Sequence, residues 1–265
     1  MSGVYVVIGA KGGTGRQLVH RLAERSSAEV SEIRALVRDP STVAADALPA
    51  DERVKLLAGD CTDASSLATH LAGAEGVFFA AAGRGWDLCQ AVDRDGVLAT
   101  ANAAKAAGCR RVLLVSSQLV DPCNRWSPIR MILNSINTGI FRSVGMMDLK
   151  HDGENLLRAS GVEYTIVRPG RLLDGPLRAA TVRVGQTNGS FLGGPGSTRA
   201  DVAAACVAAM MPDATGAVNT TFELACDPPP KEGEPRPEPP SAATFGELTA
   251  RWLESGGASE EAAQT

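Results

Sequence analysis

The chain has 265 residues, 44% of them hydrophobic, which suits one large α/β domain with a substantial buried core. Its 26 Lys and Arg against 30 Asp and Glu give a net charge of -4, which argues against a dedicated nucleic-acid binder. No apolar run is long enough to span a membrane, and the six cysteines form no C-x-x-C pair that would indicate a zinc site or a disulfide framework.

The cysteines are better explained as buried thiols in a reducing compartment. The first predicted strand starts at residue 4, which leaves no room for a targeting peptide ahead of it. We therefore expect a soluble protein of the cytoplasm, or of an organelle stroma such as that of a plastid if a transit peptide has been removed.

A glycine-rich turn follows the first predicted strand. An apolar run at residues 4–8 leads into Gly9-Ala10-Lys11-Gly12-Gly13-Thr14-Gly15, and a helical pattern at residues 16–22 follows at once. This order of strand, glycine turn and helix predicts the first unit of a dinucleotide-binding fold. Gly9 permits the tight turn, Gly12 lets the backbone approach a pyrophosphate, and Gly15 brings helix and strand together. The amides and the positive dipole end of the helix then face the phosphates.

Strand and helix patterns alternate along the rest of the chain, as in a parallel sheet with right-handed crossovers. Strands are predicted at residues 33–37, 54–58, 76–81, 111–116 and 163–167. Helices are predicted at residues 42–48, 65–71, 93–107 and 146–160. Beyond residue 170 the pattern is looser, and it predicts a smaller C-terminal lobe with strands at 181–184 and 221–224 and a helix at 199–211.

The C-terminal part changes in composition. Seven prolines within residues 227–240 favour an exposed linker, since such a stretch can hardly join a ladder or a helix. A last helix at 245–255 is predicted to pack Phe245, Leu248, Trp252 and Leu253 on the body, and the tail after it to be disordered. The predicted divisions are a domain at 1–225, a linker at 226–241, a helix at 242–256 and a tail at 257–265.

Several segments, in their order and spacing over roughly residues 3–225, resemble the atypical short-chain dehydrogenases/reductases, specifically their NmrA-like, NAD(P)-binding branch. The matching segments are residues 9–15, 35–39, 59–63, 77–83, 115–117, 160–170 and 198–203, together with Lys150 and Glu154. The resemblance implies a Rossmann-type doubly wound parallel sheet with a small C-terminal substrate lobe. It names a cofactor better than a reaction, because the family acts on many substrates.

The end of the second strand faces the adenosine ribose in this fold, where an acid selects a 2′-hydroxyl and an arginine a 2′-phosphate. The chain offers Arg38 and then Asp39, and the resemblance places Arg38 at the phosphate. Lys11 and Arg16 add positive charge nearby. We therefore expect NADP(H) to be preferred, with NAD(H) possible. The alternative is that Arg38 and Asp39 form an ordinary solvated turn.

The resemblance also implies an adenine site after the third strand, where Asp60 would bind the exocyclic amine and the backbone of Cys61 the ring. Asp60 could equally cap a turn. The predicted cofactor-binding set is Gly9, Lys11, Gly12, Gly13, Thr14, Gly15, Arg38, Asp60, Cys61, Ala80, Ala81, Ala82, Lys150, Pro169, Gly170 and Arg171. The three alanines also fit tight helix–sheet packing, and Pro169 also fits a strand terminator.

Reductases of this superfamily usually move the substrate proton with a Tyr-x-x-x-Lys pair on one helix turn. Lys150 occupies the lysine position, but Met146 occupies the tyrosine position, and a thioether has no proton to give. The chain has only two tyrosines, Tyr5 and Tyr164, and both lie within predicted strands.

Three explanations stay open. Lys150 acts alone as acid and base, as in isoflavone-reductase-like members that keep the lysine without the tyrosine. Alternatively, the proton comes from substrate, water or Ser117, or the protein binds NADP(H) without catalysis. The resemblance places a substrate-binding serine at Ser116 or Ser117, although paired serines there can simply satisfy backbone groups. The catalytic candidates are thus Lys150 and Ser117, and no metal site is predicted.

Polar residues near Lys150 are weaker candidates. His151 is turned about 100° away from Lys150 around the helix, which favours a solvated or capping role. The carboxylates of Asp148, Asp152 and Glu154 are predicted to form a solvated face.

Residues 122–147 contain no acidic side chain, and apolar residues recur there at helical spacing: Ile129, Leu133, Ile136 and Ile140. They are flanked by Trp126, Phe141, Met146 and Met147 and carry Arg125, Arg130 and Arg142. Three interpretations remain: a lid over the nicotinamide end, a docking surface for a protein or membrane, or a helix packed on its own domain. Exposure of the apolar stripe would favour docking.

The sequence therefore favours an NADP(H)-binding oxidoreductase that acts on a small carbonyl, quinone or enone without the usual tyrosine. The alternative is a non-enzymatic NADP(H)-binding regulator, sensor or complex-assembly subunit with residues 122–147 as its contact surface. The expected partners are thus a small-molecule substrate or a protein, and not nucleic acid.

Overall fold

The computed structural model describes residues 2–138, 145–186 and 196–248. Within them the strands are β1 (Gly3–Ile8), β2 (Val30–Val37), β3 (Val54–Ala58), β4 (Gly76–Phe79), β5 (Arg111–Val115), β6 (Glu163–Pro169), β7 (Leu172–Leu173), β8 (Val182–Gly185), β9 (Ser197–Thr198) and β10 (Thr220–Cys226). The α-helices are α1 (Gly13–Ala23), α2 (Ala64–Leu71), α3 (Trp86–Cys89), α4 (Val97–Ala106), α5 (Pro128–Thr138), α6 (Met146–Ala159) and α7 (Arg199–Met210). A π-helical segment, Gln90–Gly96, joins α3 to α4.

Eight of these strands form one sheet in the order β3-β2-β1-β4-β5-β6-β10-β8. Every neighbouring pair is parallel except β10 with β8, which is antiparallel. β7 and β9 form a separate two-stranded parallel ribbon. The strand order reverses between β1 and β4, which opens a crevice at the carboxyl ends of these strands. The predicted Rossmann-type doubly wound sheet is confirmed.

Helices cover both faces of the sheet. Successive side chains of β1 point to opposite faces, so Tyr5 and Val7 pack in one core with α1 and α7, while Val6 and Ile8 pack in the other with α2 and α4. Burial on both faces explains why the central strands read as continuous apolar runs.

The C-terminal elements differ from the predicted lobe. β10 pairs with β6 along its length, α7 packs beside α1, and β8 forms the sheet edge, so these elements extend the main sheet and its helical layer. The sequence did not indicate that β10 is a strand of the main sheet, because a fully buried strand is expected to be apolar and β10 contains Thr220, Thr221 and Glu223.

The helix predicted at 42–48 is wrong. The structure has a 3-10 turn, Pro40–Thr42, which Asp39 caps, followed by loop. The segment lies between two prolines and is short. The hydrogen bonds of so few turns do not offset the unfavourable free energy of helix nucleation unless packing adds to them. Val43 and Leu48 still pack on the core.

The end of the chain is described as far as Leu248. Residues 227–240 form neither helix nor strand, and Arg178 donates hydrogen bonds to the carbonyls of Pro237 and Arg236 there. Phe245 ends a short 3-10 helix and is buried against Phe222, with ring centroids 5.5 Å apart. Leu248 is buried too, as predicted, whereas Trp252, Leu253 and the predicted tail lie outside the described residues.

Among the helices of the described residues, none has both the length and the apolar character needed to cross a membrane.

Candidate functional site

A cleft of about 1100 Å³ lies at the carboxyl ends of β1, β2, β3 and β4. Four turns contribute to its walls, one after each of these strands. Ten of the predicted cofactor residues line it: Gly9, Lys11, Gly12, Gly13, Arg38, Asp60, Cys61, Ala80, Ala81 and Ala82. The topology therefore brings together residues up to 73 positions apart, from Gly9 to Ala82, as expected for a crevice where the strand order reverses.

The glycine turn is shaped for two different tasks. A methyl group added at Gly15 would lie 2.1 Å from the carbonyl oxygen of Gly9, and Gly9 itself has φ of +83°. Both positions therefore require glycine for the fold itself. At Gly12 the same methyl group would meet only the Gly9 carbonyl oxygen, at 3.3 Å. Gly12 therefore presents bare backbone to the cleft, which is the close approach that a pyrophosphate needs.

The N-terminus of α1 lacks the groups that normally satisfy a helix start. Gly12 is the N-cap residue, offers no side-chain cap, and no acidic residue stands in the first turn. By contrast, the N-terminus of α7 is capped by the side chain of Thr198, which accepts from the amide of Asp201. The free amides and positive dipole end of α1 are thus available to an anion in the cleft.

The two charged residues after β2 have separate roles. The Asp39 carboxylate accepts hydrogen bonds from the amide and hydroxyl of Ser41, at 3.0 and 2.6 Å. These bonds, with a smaller contribution from Lys11, hold the pKa of Asp39 below its ordinary value. Arg38 is exposed in the cleft and has no ion-pair or hydrogen-bond partner among the described residues. The turn thus uses the acid and leaves the guanidinium for a ligand.

Asp60 also shapes its own turn. One oxygen, Oδ1, accepts from the amide and hydroxyl of Thr62, at 2.9 and 2.8 Å. Asp60 therefore caps a turn, which was the alternative to adenine binding. Its other oxygen has no partner within the described part of the chain. The neighbouring Cys61 is buried, and this burial, with Asp60 beside it, raises the pKa of its thiol to about 11. The thiol therefore stays neutral, and the backbone amide and carbonyl of Cys61 are its stronger hydrogen-bonding groups.

Lys150 is held by a residue that the sequence did not identify. Its ammonium donates to Oδ1 of Asp93 at 2.6 Å, while Oδ2 of Asp93 accepts the amide of Gly83 at 2.8 Å. Asp93 lies in the π-helical segment and its side chain is only 1% exposed. Lys150 itself does not line the cleft, but Gly83 does, so Asp93 links the two.

A signal for Asp93 was present in the sequence. It precedes the buried Val97, Ala101 and Ala104 at positions i+4, i+8 and i+11, which is one face of a helix. An acid in the apolar phase of a helix needs a buried partner. Close packing reinforces the contact, since a methyl group at Gly153 would lie 2.1 Å from the carbonyl oxygen of Asp93.

Glu154 was predicted to lie on a solvated face, and this prediction is wrong. Its side chain is 0% exposed and accepts from Ser116 at 2.6 Å, from Arg168 at 2.6 Å and from Arg158 at 2.8 Å. Burial by itself would raise the pKa of Glu154, but Arg168, Arg158 and the Ser116 hydroxyl together outweigh burial, and the pKa falls to about 2. Asp148 likewise pairs with Arg130. Of the three carboxylates, Asp152 is the exposed one.

The two serines after β5 are also engaged. The Ser116 hydroxyl is bound to Glu154, and the Ser117 hydroxyl donates to the carbonyl of Gln118 at 3.0 Å. Both tyrosines, Tyr5 and Tyr164, are buried in strands, as predicted. Met146 opens α6 one turn before Lys150, so no phenol stands at this site.

His151 is half-buried rather than solvated. Burial lowers the pKa of its imidazole, and the ring contacts Asn155. Since Glu154 and Arg168 both influence this pKa, His151 lies beside their buried cluster and not in the cleft.

The segment after β6 lies outside the cleft. Pro169 is the last residue of β6, Gly170 packs against Gln118, and the carbonyl of Arg171 accepts from the amide of Ser197. Thr14 and Gly15 are buried beneath the turn. These residues support the walls of the site, and none is among those that line it.

The segment 122–147 has a mixed character. Arg130 of α5 is buried and donates to the carbonyls of Leu119, Val120 and Asp121, which fixes α5 to the domain. The outer face of the segment is exposed and apolar; it consists of Trp126, Ile129, Met131 and Ile132. Ile140, Phe141 and Arg142 lie outside the described residues, as does the side chain of Ile136.

Comparison with known proteins agrees with this geometry. The sequence model of a family described as NAD(P)H-binding matches residues 9–212, from the glycine turn to the end of α7. The chain belongs to this NAD(P)H-binding family of atypical short-chain dehydrogenases/reductases. The NmrA-like resemblance is thereby confirmed, and a nicotinamide dinucleotide is the cofactor class of the family.

The similarity to known proteins extends over more than four fifths of this chain. It is 27% identical to the uncharacterized sugar epimerase YhfK of Bacillus subtilis, over 82% of this chain and 92% of that protein. A putative NAD-dependent epimerase/dehydratase from Bacillus halodurans is 25% identical, with a TM-score of 0.67 over 86% of this chain and 96% of the other. A short-chain dehydrogenase/reductase from Veillonella parvula, solved with NADP, shares the fold at 19% identity and a TM-score of 0.65, over 88% and 96%.

Proposed function

We propose that this protein is an NADP(H)-dependent oxidoreductase that acts on a small quinone, enone or carbonyl compound without a catalytic tyrosine. The observation that carries the cofactor preference lies at the end of β2. Asp39 is committed to its own turn, and Arg38 lies in the cleft without a partner among the described residues. A guanidinium in this place suits a 2′-phosphate, whereas a free carboxylate would suit a 2′-hydroxyl.

The other groups of the cleft fit the remaining parts of the dinucleotide. The amides that open α1 would hold the pyrophosphate, and Lys11 would add charge near the 2′-phosphate. The free oxygen of Asp60 and the backbone of Cys61 would hold the adenine above the small side chains at residues 80–82. A reduced nicotinamide, when bound, would supply a hydride to the substrate.

Lys150 supports this function as a positioning group. Its ammonium already donates to the buried carboxylate of Asp93, so it is a held donor rather than a free proton source. We assign to its remaining N–H groups the ribose hydroxyls at the nicotinamide end. The proton of the reaction then comes from solvent or from the substrate, because Ser117 donates to the Gln118 carbonyl, Ser116 is bound to Glu154 and Met146 has no proton to give.

This arrangement narrows the substrate class. Hydride addition leaves an anion that must take up one proton: on oxygen for a ketone or a quinone, and on the α-carbon for the enolate formed from an enone. The alkoxide of a simple ketone is far more basic than an enolate or a hydroquinone anion, so it needs an acid within reach. Quinones and enones, whose reduced forms are stabilised anions, are therefore the acceptors that this site favours.

The test is NADPH consumption against matched quinones, enones and simple ketones, with binding of NADPH measured separately by calorimetry. We expect turnover of the first two classes, and about a tenfold or greater loss of kcat/KM in Lys150→Met because the nicotinamide loses its positioning group. Binding of NADPH should persist through its phosphate contacts. The double variant Lys150→Met with Asp93→Asn controls for the buried carboxylate that the single variant leaves unpaired.

Tight binding of NADPH with no oxidation across the panel would overturn the enzymatic proposal. It would favour the second candidate, a non-enzymatic NADP(H)-binding subunit. The specific observation behind that candidate is the exposed apolar face of Trp126, Ile129, Met131 and Ile132.

A further inference from the structure

Arg199 lies across the start of α1, although it belongs to α7. α1 and α7 pack side by side with their N-termini at the same edge of the sheet, and Arg199 is the first residue of α7. A methyl group added at Gly13 would lie 2.6 Å from Cδ and 2.7 Å from Nε of Arg199. The stem of this arginine therefore occupies the space over Gly13, which is the first residue of α1 and lines the cleft.

The guanidinium has a weak partner in the structure. Nη1 of Arg199 donates to Oδ1 of Asp174 at 2.8 Å, and this is its ion pair among the described residues. The Asp174 side chain is 90% exposed and that of Arg199 is 28% exposed. A pair of this kind is largely screened by water and contributes little, so an incoming anion can replace it.

The location is electrostatically unfavourable for a cation unless an anion is present. The N-terminal ends of α1 and α7 both carry partial positive charge, and Arg199 stands at both. α7 balances its own end with Asp201, whose carboxylate is buried and accepts from the amides of Arg178 and Ala179. α1 has no acid in its first turn. The N-terminus of α1 therefore lacks a negative charge, and a pyrophosphate would supply it.

We infer that Arg199 is a second anchor for the pyrophosphate, opposite the amides of α1, and that it exchanges Asp174 for the phosphate oxygens when the dinucleotide binds. This inference rests on the dinucleotide-binding role of the cleft given above. It assigns Arg199 and Arg38 to different phosphates: Arg199 to the pyrophosphate and Arg38 to the 2′-phosphate. The absence of a side chain at Gly13 then leaves room for the aliphatic part of Arg199 as well as for the ligand.

The variant Arg199→Met tests the inference, because methionine keeps an unbranched apolar stem over Gly13 and removes the charge. NADPH should bind about 10- to 100-fold more weakly, the range expected for a charge-assisted hydrogen bond. Adenosine 2′-monophosphate has no pyrophosphate, and its dissociation constant should change less than about twofold. Arg38→Gln is the matched control, and it should weaken both ligands.

A second variant works in the opposite direction. Asp174→Asn removes the competing carboxylate, so NADPH should bind as tightly as to the wild type or up to about threefold more tightly. Arg199→Lys should keep part of the affinity, since a point charge remains without the planar fork. These variants also provide a result if Arg199→Met does not fold.

Three outcomes overturn the inference. NADPH affinity in Arg199→Met could equal that of the wild type, or both ligands could weaken equally, which would indicate a purely structural role for the arginine. Asp174→Asn could weaken NADPH binding, which would show that the ion pair itself is needed. A wild-type protein that binds no dinucleotide would overturn the cofactor role of the cleft itself, and the two failures are thus distinguishable.

Discussion

The two ends of the site treat charge in opposite ways. At the end predicted to bind phosphates, Arg38 and Lys11 face the cleft without an ion pair or hydrogen bond among the described residues, and the N-terminus of α1 has no side-chain cap and no acid. At the end that carries Lys150, the charged groups are paired with each other. Lys150 pairs with Asp93, and Glu154 pairs with Arg168 and Arg158 and accepts a hydrogen bond from Ser116.

This difference separates binding from chemistry. An uncompensated positive region gains its counter-charge from a ligand, so the phosphate end is built to bind an anion. The carboxylates of Asp93 and Glu154 are already paired with cations, and the Glu154 cluster holds the carboxyl ends of β5 and β6 in place. In the reaction proposed above, the reactive groups therefore come mainly from the cofactor, the substrate and the solvent.

The largest expected effect concerns the end that carries Lys150. Glu154→Gln leaves Arg168 and Arg158 buried without their carboxylate, and should cost about 3–5 kcal/mol of the free energy of unfolding. Urea denaturation measures this directly. Asp152→Asn, two residues away on the exposed face of the same helix, is the control and should change stability by less than about 0.5 kcal/mol. Similar losses in both variants would contradict the buried network.

The same network predicts a dependence on pH. The pKa of Glu154 falls from its ordinary value of 4.5 to about 2 in the folded protein, so the folded state binds the proton less readily than the unfolded chain. The stabilisation is therefore fully present above about pH 4.5 and is lost as the pH falls towards 2. It is of the order of 3 kcal/mol, from the linkage between pKa and stability. The stability gap between wild type and Glu154→Gln should close over this range, and a gap that persists at low pH would contradict it.

How far each end could be predicted follows from the range of the interactions. Gly9, Gly12, Arg38 and Asp60 follow strand ends, so the local pattern was enough to bring them to one cleft, whereas their binding roles stay predictions. Asp93 meets Lys150 across 57 residues, and Glu154 meets Arg168 from another element, and neither pairing has a local signature. The prediction of a solvated face for Glu154 failed because its helix phase places it among buried neighbours, and the same phase argument applies to Asp93.

The uncommitted guanidinium of Arg38 gives the next prediction. Arg38→Gln should weaken NADPH binding about 10- to 100-fold and leave NADH binding within about twofold, since only the 2′-phosphate loses a charged partner. Calorimetry with both coenzymes measures the ratio. Arg16→Gln removes an exposed charge that does not line the cleft and serves as the control. Equal losses for NADPH and NADH in Arg38→Gln would place this side chain elsewhere on the dinucleotide.

Lys11 should have the smallest effect at the phosphate end. It is exposed and contributes a screened point charge near Asp39, so Lys11→Gln should weaken NADPH binding only about two- to fivefold. The effect should shrink further at high salt, because the screening length falls below the distance between exposed charges. Titrations at low and high salt, with the exposed Lys55→Gln as control, measure both points. A loss as large as that of Arg38→Gln, and insensitive to salt, would mean that the lysine and not the arginine holds the 2′-phosphate, and the division of roles along the turn after β2 would have to be reversed.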